Sequence, residues 1–500
     1  MFPNCQHNLY KVLSTVALLL YFIETLSAQT RLGLHFTQEE LDIWRQRAKN
    51  GPYKIREDVC TNSPGDWERI VRHANAFLSR PSGERWKGQT KAVCVKPHDP
   101  IAPRREQGEK IRDAAFYFLI TGDKRFRDAV RNELLAQAVE AGSDFTDRTR
   151  WCLSLTGDPN PNFEITMWLN RQLFAYDYVR STLSASDRTT LNSWFKNAAL
   201  YWERAVDVSI KQMYPNRNSN DYTTLGLNWQ VETTKCTWYH CVTHYNGWKR
   251  VNWHEIWNNR DADMIRFAGL VGIMVDDDYL KIQAKRFFKE WMRHSVFPDG
   301  MAQEFIRWED TYPSLGWAYA SSLIGSMAVL ADAFARIGDM ELFQFSTSRG
   351  FSTSAGTMTP DGGPKNLLAV ITHHAKYVDK SIVRYGTDRA SRNGNPASVI
   401  GPVNIPNGEA WVNENFWMQA NIYYKDPYLQ SIYLRTAPNC HSYPANPSTG
   451  GWSGWTGCCG IYPGVLFMFG QIEGKVWPYP GTTIDDGGVR PRAIKVKGIL

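Results

Sequence analysis

Five hundred residues, 43% of them hydrophobic, are enough to bury a large core and exclude a disordered chain or a miniature disulfide scaffold. The formal net charge of +7 is spread along the chain without the basic runs of nucleic-acid binders. It therefore predicts attraction to some other polyanion. No stretch is long and apolar enough to span a bilayer, so neither nucleic acid nor membrane is an expected partner.

The N-terminus has the pattern of a secretory signal over residues 1–28. Lys11 precedes an apolar run from Val12 to Phe22, and Leu26-Ser27-Ala28 offers a small-residue cleavage site. An exported, extracellular chain is expected. Cleavage removes Cys5 and leaves Cys60, Cys94, Cys152, Cys236, Cys241, Cys440, Cys458 and Cys459, an even set that favours disulfides of unspecified pairing. Cys236, His240, Cys241 and His244 have zinc-like spacing, but the exported context favours a disulfide there, and no metal or cofactor is expected. No Asn-x-Ser/Thr sequon with x other than proline is present, so N-glycosylation is not expected.

A helix is predicted over 36–48, opened by a Thr37/Glu40 capping box with Phe36 and Leu41 as its hydrophobic staple. Residues 109–137 read as two helices joined at Thr121-Gly122-Asp123, with apolar stripes through Ile111, Ala114, Ala115 and Phe118, then Phe126, Ala129, Val130 and Leu134. Residues 163–204 give two more helices, parted by the cap Ser184. Ala268 to Val275 leads through Asp276-Asp277-Asp278 into a helix bearing Ile282, Ala284 and Phe287. Leu323 to Ile337 leads through Gly338-Asp339 into another bearing Leu342 and Phe343. The spacing is too irregular for a strict solenoid, but it predicts helical hairpins laid side by side. From residue 347 the helical signal weakens. The prediction is an all-α chain, an incomplete (α/α) barrel over 29–400, closed by a loop-rich, partly β region over 401–500 on the same domain.

Several segments resemble those of alginate-lyase-like polysaccharide lyases. Residues 113–129, DAAFYFLITGDKRFRDA, are similar to the opening helical hairpin of that group, and residues 175–183, AYDYVRSTL, to the next helix. Trp257-Asn258-Asn259-Arg260-Asp261, followed by Asp278-Tyr279, resembles the segment with the asparagine that neutralises the substrate. Asp299-Gly300 through Tyr312 resembles the segment with the catalytic arginine and tyrosine. The match covers roughly 35–345 and looks closest to polysaccharide lyase families 5 and 38. It implies an (α/α) barrel with a central groove, with Arg307, Tyr312 and Asn258 or Asn259 as catalytic residues. One departure is plain. The group places a histidine directly after the asparagine, whereas here Arg260 follows Asn258-Asn259 and the nearest histidine is His254. On a helix His254 shares a face with Asn258, so it is a further catalytic candidate.

The residue chemistry supports β-elimination from a uronic acid. Loss of the C5 proton builds an enolate beside a carboxylate, so neutralising that carboxylate is the main electrostatic task. Arg307 supplies a charge and a fork matching a carboxylate, and an asparagine amide supplies further donors. A free tyrosine, with a pKa of about 10, is a poor base at neutral pH, and a nearby guanidinium lowers it. Pro313 disfavours helical geometry at Tyr312 and so frees it to face a cleft. The resemblance implies histidine as base for guluronate, where proton and leaving oxygen depart on opposite sides. For mannuronate and glucuronate they lie on one side, and a single tyrosine serves both transfers. Glucuronan or mannuronan is therefore the expected substrate of a monomeric enzyme. Candidate substrate contacts are Asn218 in the polar loop 216–222, Arg260, and the tryptophans Trp253, Trp257 and Trp308, with Trp229, Trp238 and Trp248 extending the aromatic run. His373-His374 could reach the site from the C-terminal half. Two alternatives stay open. One is an (α/α)-barrel hydrolase using two carboxylates among Glu304, Glu309, Asp310 and Asp177; the other is a non-catalytic uronan-binding protein.

Overall fold

A computed structural model of the chain describes residues 31–49, 66–81, 85–86, 105–145, 160–213, 243–245, 248–250, 257–296, 300–302, 313–351, 358–378, 385–386, 400–402, 420–421, 423–429, 462–463 and 467–468. In chain order the helices are α1 (Gln38–Lys49), α2 (Asp66–Ser79), α3 (Arg105–Thr121), α4 (Lys124–Ala138), α5 (Asn160–Val179), α6 (Ala185–Met213), α7 (Asn259–Val275), α8 (Asp278–His294), α9 (Pro313–Ala335), α10 (Glu341–Gln344) and α11 (Leu367–Val378). Three antiparallel strand pairs accompany them: β1 (Thr243–Tyr245) with β2 (Trp248–Arg250), β3 (Ser346–Phe351) with β4 (Met358–Asn366), and β5 (Tyr385–Gly386) with β6 (Ile400–Pro402).

Burial sorts the helices into two layers. In α5, α7 and α9, residues 165–179, 259–274 and 320–334 are buried on every side, as expected of helices enclosed by others. In α4 only one stripe, Phe126, Val130, Leu134 and Gln137, is buried, and α6 and α8 are likewise one-sided. The inner row is α3, α5, α7 and α9, each packed on the next, with α4, α6 and α8 behind. Its members run parallel. Glu109 meets Arg171 while Phe116 meets Tyr178, and Arg266 meets Ser326 while Gly269 lies against Leu330. The outer helices return antiparallel, Tyr176 contacting Asn192 while Trp168 contacts Trp194. This is an incomplete (α/α) toroid. None of the described helices is long and apolar enough to cross a membrane.

Local chemistry sets the short turns. In the capping box the Thr37 N–H donates to Glu40 Oε2 at 2.7 Å and the Glu40 N–H to Thr37 Oγ1 at 3.3 Å. Asp123 accepts from the Arg125 N–H at 3.0 Å, Ser184 from the Asp187 N–H at 3.1 Å and Asp277 from the Leu280 N–H at 3.0 Å. Each such bond satisfies an orphan donor of the next helix. The expected partner of α9 is cut to the single turn α10, after which the chain pairs as β3–β4. Lys285 and Lys289 of α8 hold Glu341 at the start of that turn. A second correction is α11, a helix inside the region where the helical signal had faded.

The short-turn end is closed by distant parts of the chain. Asp332 of α9 lies 2.7 Å from His35 Nδ1 and accepts from Tyr423 Oη at 2.9 Å and from Arg336 Nε at 2.9 Å. Burial raises the Asp332 carboxyl, but Arg336, His35 and Tyr423 outweigh it and bring it down to about 2. Arg336 also forks onto Glu40 at 2.7 and 2.9 Å. Tyr462 packs edge-on to His35 and Phe174, and the carbonyls of Pro463, Phe467 and Met468 accept from Arg69, Arg47 and Trp44. Residues 462–463 and 467–468 are thus packed on the toroid's core.

Candidate active site

Because α3–α4, α5–α6 and α7–α8 are joined at the short-turn end, the long connections before α5, α7 and α9 join described residues at the opposite end. All the nominated residues fall on two of these connections or on the helix starts they lead to. Asn218, Trp253, His254, Trp257, Asn258, Asn259 and Arg260 precede or open α7, and Arg307, Trp308 and Tyr312 precede α9. Asn218, Trp253, His254, Arg307, Trp308 and Tyr312 lie outside the described residues, as do Glu304, Glu309, Asp310 and the eight cysteines of the mature chain. The chain enters α9 at Pro313, the residue after Tyr312. Proline suits a first helical position because its missing N–H has no partner there.

Asn258 is the N-cap of α7. Its backbone is extended, at φ −94° and ψ 174°, and Oδ1 accepts from the N–H groups of Arg260 at 2.8 Å and Asp261 at 2.9 Å. Two backbone donors on one oxygen fix which way the amide faces. Nδ2 lies 3.4 Å from Asp261 Oδ2, a long contact. Asn258 is itself buried, at 4% exposure, and its amide sits at the positive end of an inner helix.

Two substrate contacts need correction. Trp257 is 0% exposed and its indole N–H points at Glu290 of α8, 3.5 Å away. Its ring is core and closed to a sugar, because the Glu290 carboxylate draws the polar edge inward. Arg260 is buried at 5% exposure, and Asn259 is fully buried beside it. Beneath the cap lies a buried polar cluster. Asn170 of α5 donates to Asp263 of α7 at 3.3 Å, and Arg266 of α7 pairs with Asp263 and donates to Ser326 of α9 at 2.9 Å. A buried charge removed from its partner is strongly destabilising, so this cluster pins three inner helices in one register. The signal for it was visible as charged residues in the otherwise apolar run 261–275.

The two helix starts have a defined offset. The contacts Arg266–Ser326 and Gly269–Leu330 set a register that puts Asn258 level with residues 318–319. At the α-helical rise, α9 begins about 8 Å beyond the α7 cap. One pyranose ring with its substituents spans such a step.

The remaining polar candidates are elsewhere. Asp177 is buried at the short-turn end, where it accepts from the Leu34 N–H at 2.8 Å, and burial pushes its carboxyl up to about 7. It lies at the end opposite the helix starts to which the long connections lead. His374 is buried with Nε2 2.7 Å from Ser321 Oγ, and burial, then His373, bring it down to about 3. No group of three or more potential metal ligands occurs among the described residues.

No protein-family model matches the sequence, and no curated protein matches it. Among solved structures the chain is similar to a point variant of alginate lyase A1-III complexed with tetrasaccharide. The identity is 11%, over 79% of this chain and 88% of that one, with a TM-score of 0.42. The apo form of that variant matches at 10% identity, over 80% and 90% of the two chains, with a TM-score of 0.45.

Proposed function

We propose that this chain is a secreted polysaccharide lyase that cleaves β-1,4-linked uronans by β-elimination. The observation that carries the reading is the step between the starts of α7 and α9. The amide of Asn258 stands at one level, and α9 begins, at the residue after Tyr312, about 8 Å beyond it. Both helices also turn their positive ends toward the side on which an acidic sugar would bind.

In the proposed reaction Arg307 and the Asn258 amide hold the uronate carboxylate and take up charge as the enolate forms. Arg307 favours the phenolate of Tyr312, which removes the C5 proton. The C5–H electron pair becomes the C4–C5 double bond, and the C4–O bond breaks. The departing glycosidic oxygen takes the proton back from Tyr312, which ends as it began. Water is not consumed. The product carries a double bond conjugated to its carboxylate and absorbs ultraviolet light, unlike the product of a hydrolase. The test is an ultraviolet assay across glucuronan, polymannuronate, polyguluronate, heparan and pectate. Chain cleavage without ultraviolet absorption supports the hydrolase, and binding without cleavage supports the non-catalytic reading.

A further inference from the structure

The Asn258 cap stands at the end of a line of buried contacts that starts on the outer helix α8. Glu290 of α8 is fully buried, and its Oε1 accepts from Arg286 Nε at 3.0 Å, one helical turn earlier on the same face. A carboxylate is kept in such a place only where a cation and donors meet it. Its other oxygen, Oε2, faces the indole N–H of Trp257 at 3.5 Å. An indole nitrogen can only donate, so this edge of the ring is turned toward the acceptor. Trp257 is the residue immediately before the cap and is fully buried. A buried apolar residue at that position fixes the angle at which the chain enters the helix. After the cap, the Ala262 N–H donates to the Asn258 carbonyl at 3.0 Å, and the Arg260 and Asp261 N–H groups donate to its side-chain oxygen. These bonds orient the side chain relative to α7. The direction from which the backbone arrives is set by Trp257, and Trp257 is turned by Glu290.

We infer that Glu290 is a positioning residue for the Asn258 amide, acting through Trp257. The inference rests on the lyase reading for what Asn258 does to the substrate. The line of contacts itself stands on α7 and α8. Taking the acceptor away from the indole edge lets the ring turn, and the peptide that leads into the cap turns with it. A misplacement of about 1 Å in a group that stabilises developing charge can cost on the order of 10²-fold in rate. Glu290 would therefore govern turnover from the outer layer of the toroid without touching the sugar.

The experiment makes Glu290→Met, which keeps the length and removes both acceptors, and Glu290→Gln, which keeps one acceptor. Each is made alone and together with Asn258→Ser. Steady-state kinetics on uronan and backbone hydrogen exchange over 259–262 are measured on all. Glu290→Met should lower kcat at least about tenfold, with KM within about threefold of wild type. Glu290→Gln should recover most of that loss. Combined with Asn258→Ser, Glu290→Met should lower kcat no further, because the group it positions is already gone. Exchange over 259–262 should be at least about tenfold faster in Glu290→Met and near wild type in Glu290→Gln. Trp257→Phe deletes the indole N–H and leaves Glu290 with Arg286. It should reproduce Glu290→Met, and it serves if Glu290→Met does not fold. Wild-type kcat in the folded variant overturns the inference. So does a fall in kcat by the same factor with and without Asn258→Ser, since Glu290 would then act on turnover by another route. If the wild type cleaves no uronan, the lyase reading fails by itself, and wild-type exchange over 259–262 in the variant would still overturn the positioning role.

Discussion

Asn258 combines two jobs that different substitutions pull apart. Its oxygen caps α7 by accepting two backbone N–H groups at 2.8 and 2.9 Å, and its amide nitrogen is the proposed donor to the uronate. Serine is about as good a cap as asparagine but cannot place an N–H at that position. Asn258→Ser should therefore keep stability within a few tenths of a kcal/mol. Asn258→Ala removes the cap as well and should cost about 1 kcal/mol. In turnover the two should look alike. Removing one preorganised donor from a developing anion costs on the order of 10²–10³-fold in kcat, so both variants should fall by that much on the best uronan. Stability is read from urea unfolding and turnover from the ultraviolet absorbance of the unsaturated product. A serine variant with wild-type kcat would show that Asn258 is only a cap. An alanine variant as stable as the serine one would show that the cap contributes nothing.

The other predictions concern the remaining groups. Tyr312→Phe removes one hydroxyl, so the fold should persist while kcat falls at least on the order of 10²-fold; near-normal kcat would shift attention to Tyr319. Arg307→Lys should restore little of the activity lost in Arg307→Ala, because a point charge does not reproduce the fork; equal rates for lysine and arginine would mean that Arg307 acts only through long-range charge. Asp177 has a folded-state pKa of about 7, raised from the ordinary carboxylate range by burial, so its contribution to stability is fully present below about pH 4 and is lost as pH rises through 7. Asp177→Asn keeps an acceptor for Leu34, so its stability relative to wild type should improve between pH 5 and pH 8; a pH-independent difference in unfolding free energy would refute this. Polymannuronate or glucuronan should be cleaved well ahead of polyguluronate, and His254→Ala should reduce activity only modestly; a guluronate preference, or a His254→Ala variant as inactive as Tyr312→Phe, would make His254 the base.

What could be read in the sequence was local. Thr37 with Glu40, Ser184 and Asp277 announce helix starts because each satisfies an orphan N–H within three residues. The start of α9 at Pro313 follows from the restriction proline places on Tyr312. α11 was legible in principle, since Leu367, Val370, Ile371, His374 and Ala375 form one buried stripe behind the cap Asn366. Polar residues around it hid the pattern. Trp257 misled because a tryptophan in a run of tryptophans looks like a sugar platform, and only the position of Glu290 in the next helix turns it inward. The Asp332 hub joins residues 35, 332, 336 and 423, and Lys365 reaches back to carbonyls at 293 and 296. Apart from the i,i+4 pair Asp332–Arg336, neither has a local signature, because the other partners are chosen by tertiary packing.

The two ends of the toroid divide the physical tasks between them. At the short-turn end, tight capped turns and the Asp332–His35–Arg336–Glu40 cluster tie the first helices to the last, and buried charges there are matched one to another. Removing one partner would strand the rest, which makes that end stiff. The long connections lead to the helix starts at the opposite end, and connecting segments are where function most often resides. A site built there still needs fixed distances, and long connections alone do not provide them. The structure meets that need from below and from the side. Below, the Asn170–Asp263–Arg266–Ser326 cluster locks the register of α5, α7 and α9, which fixes the step between the Asn258 cap and the start of α9. From the side, Lys365 holds the carbonyl of Val296 after α8 and His374 holds Ser321 of α9. The Asn258 cap and the start of α9 thus have their spacing set by buried residues, so the substitutions most damaging to turnover should include Asp263 and Arg266.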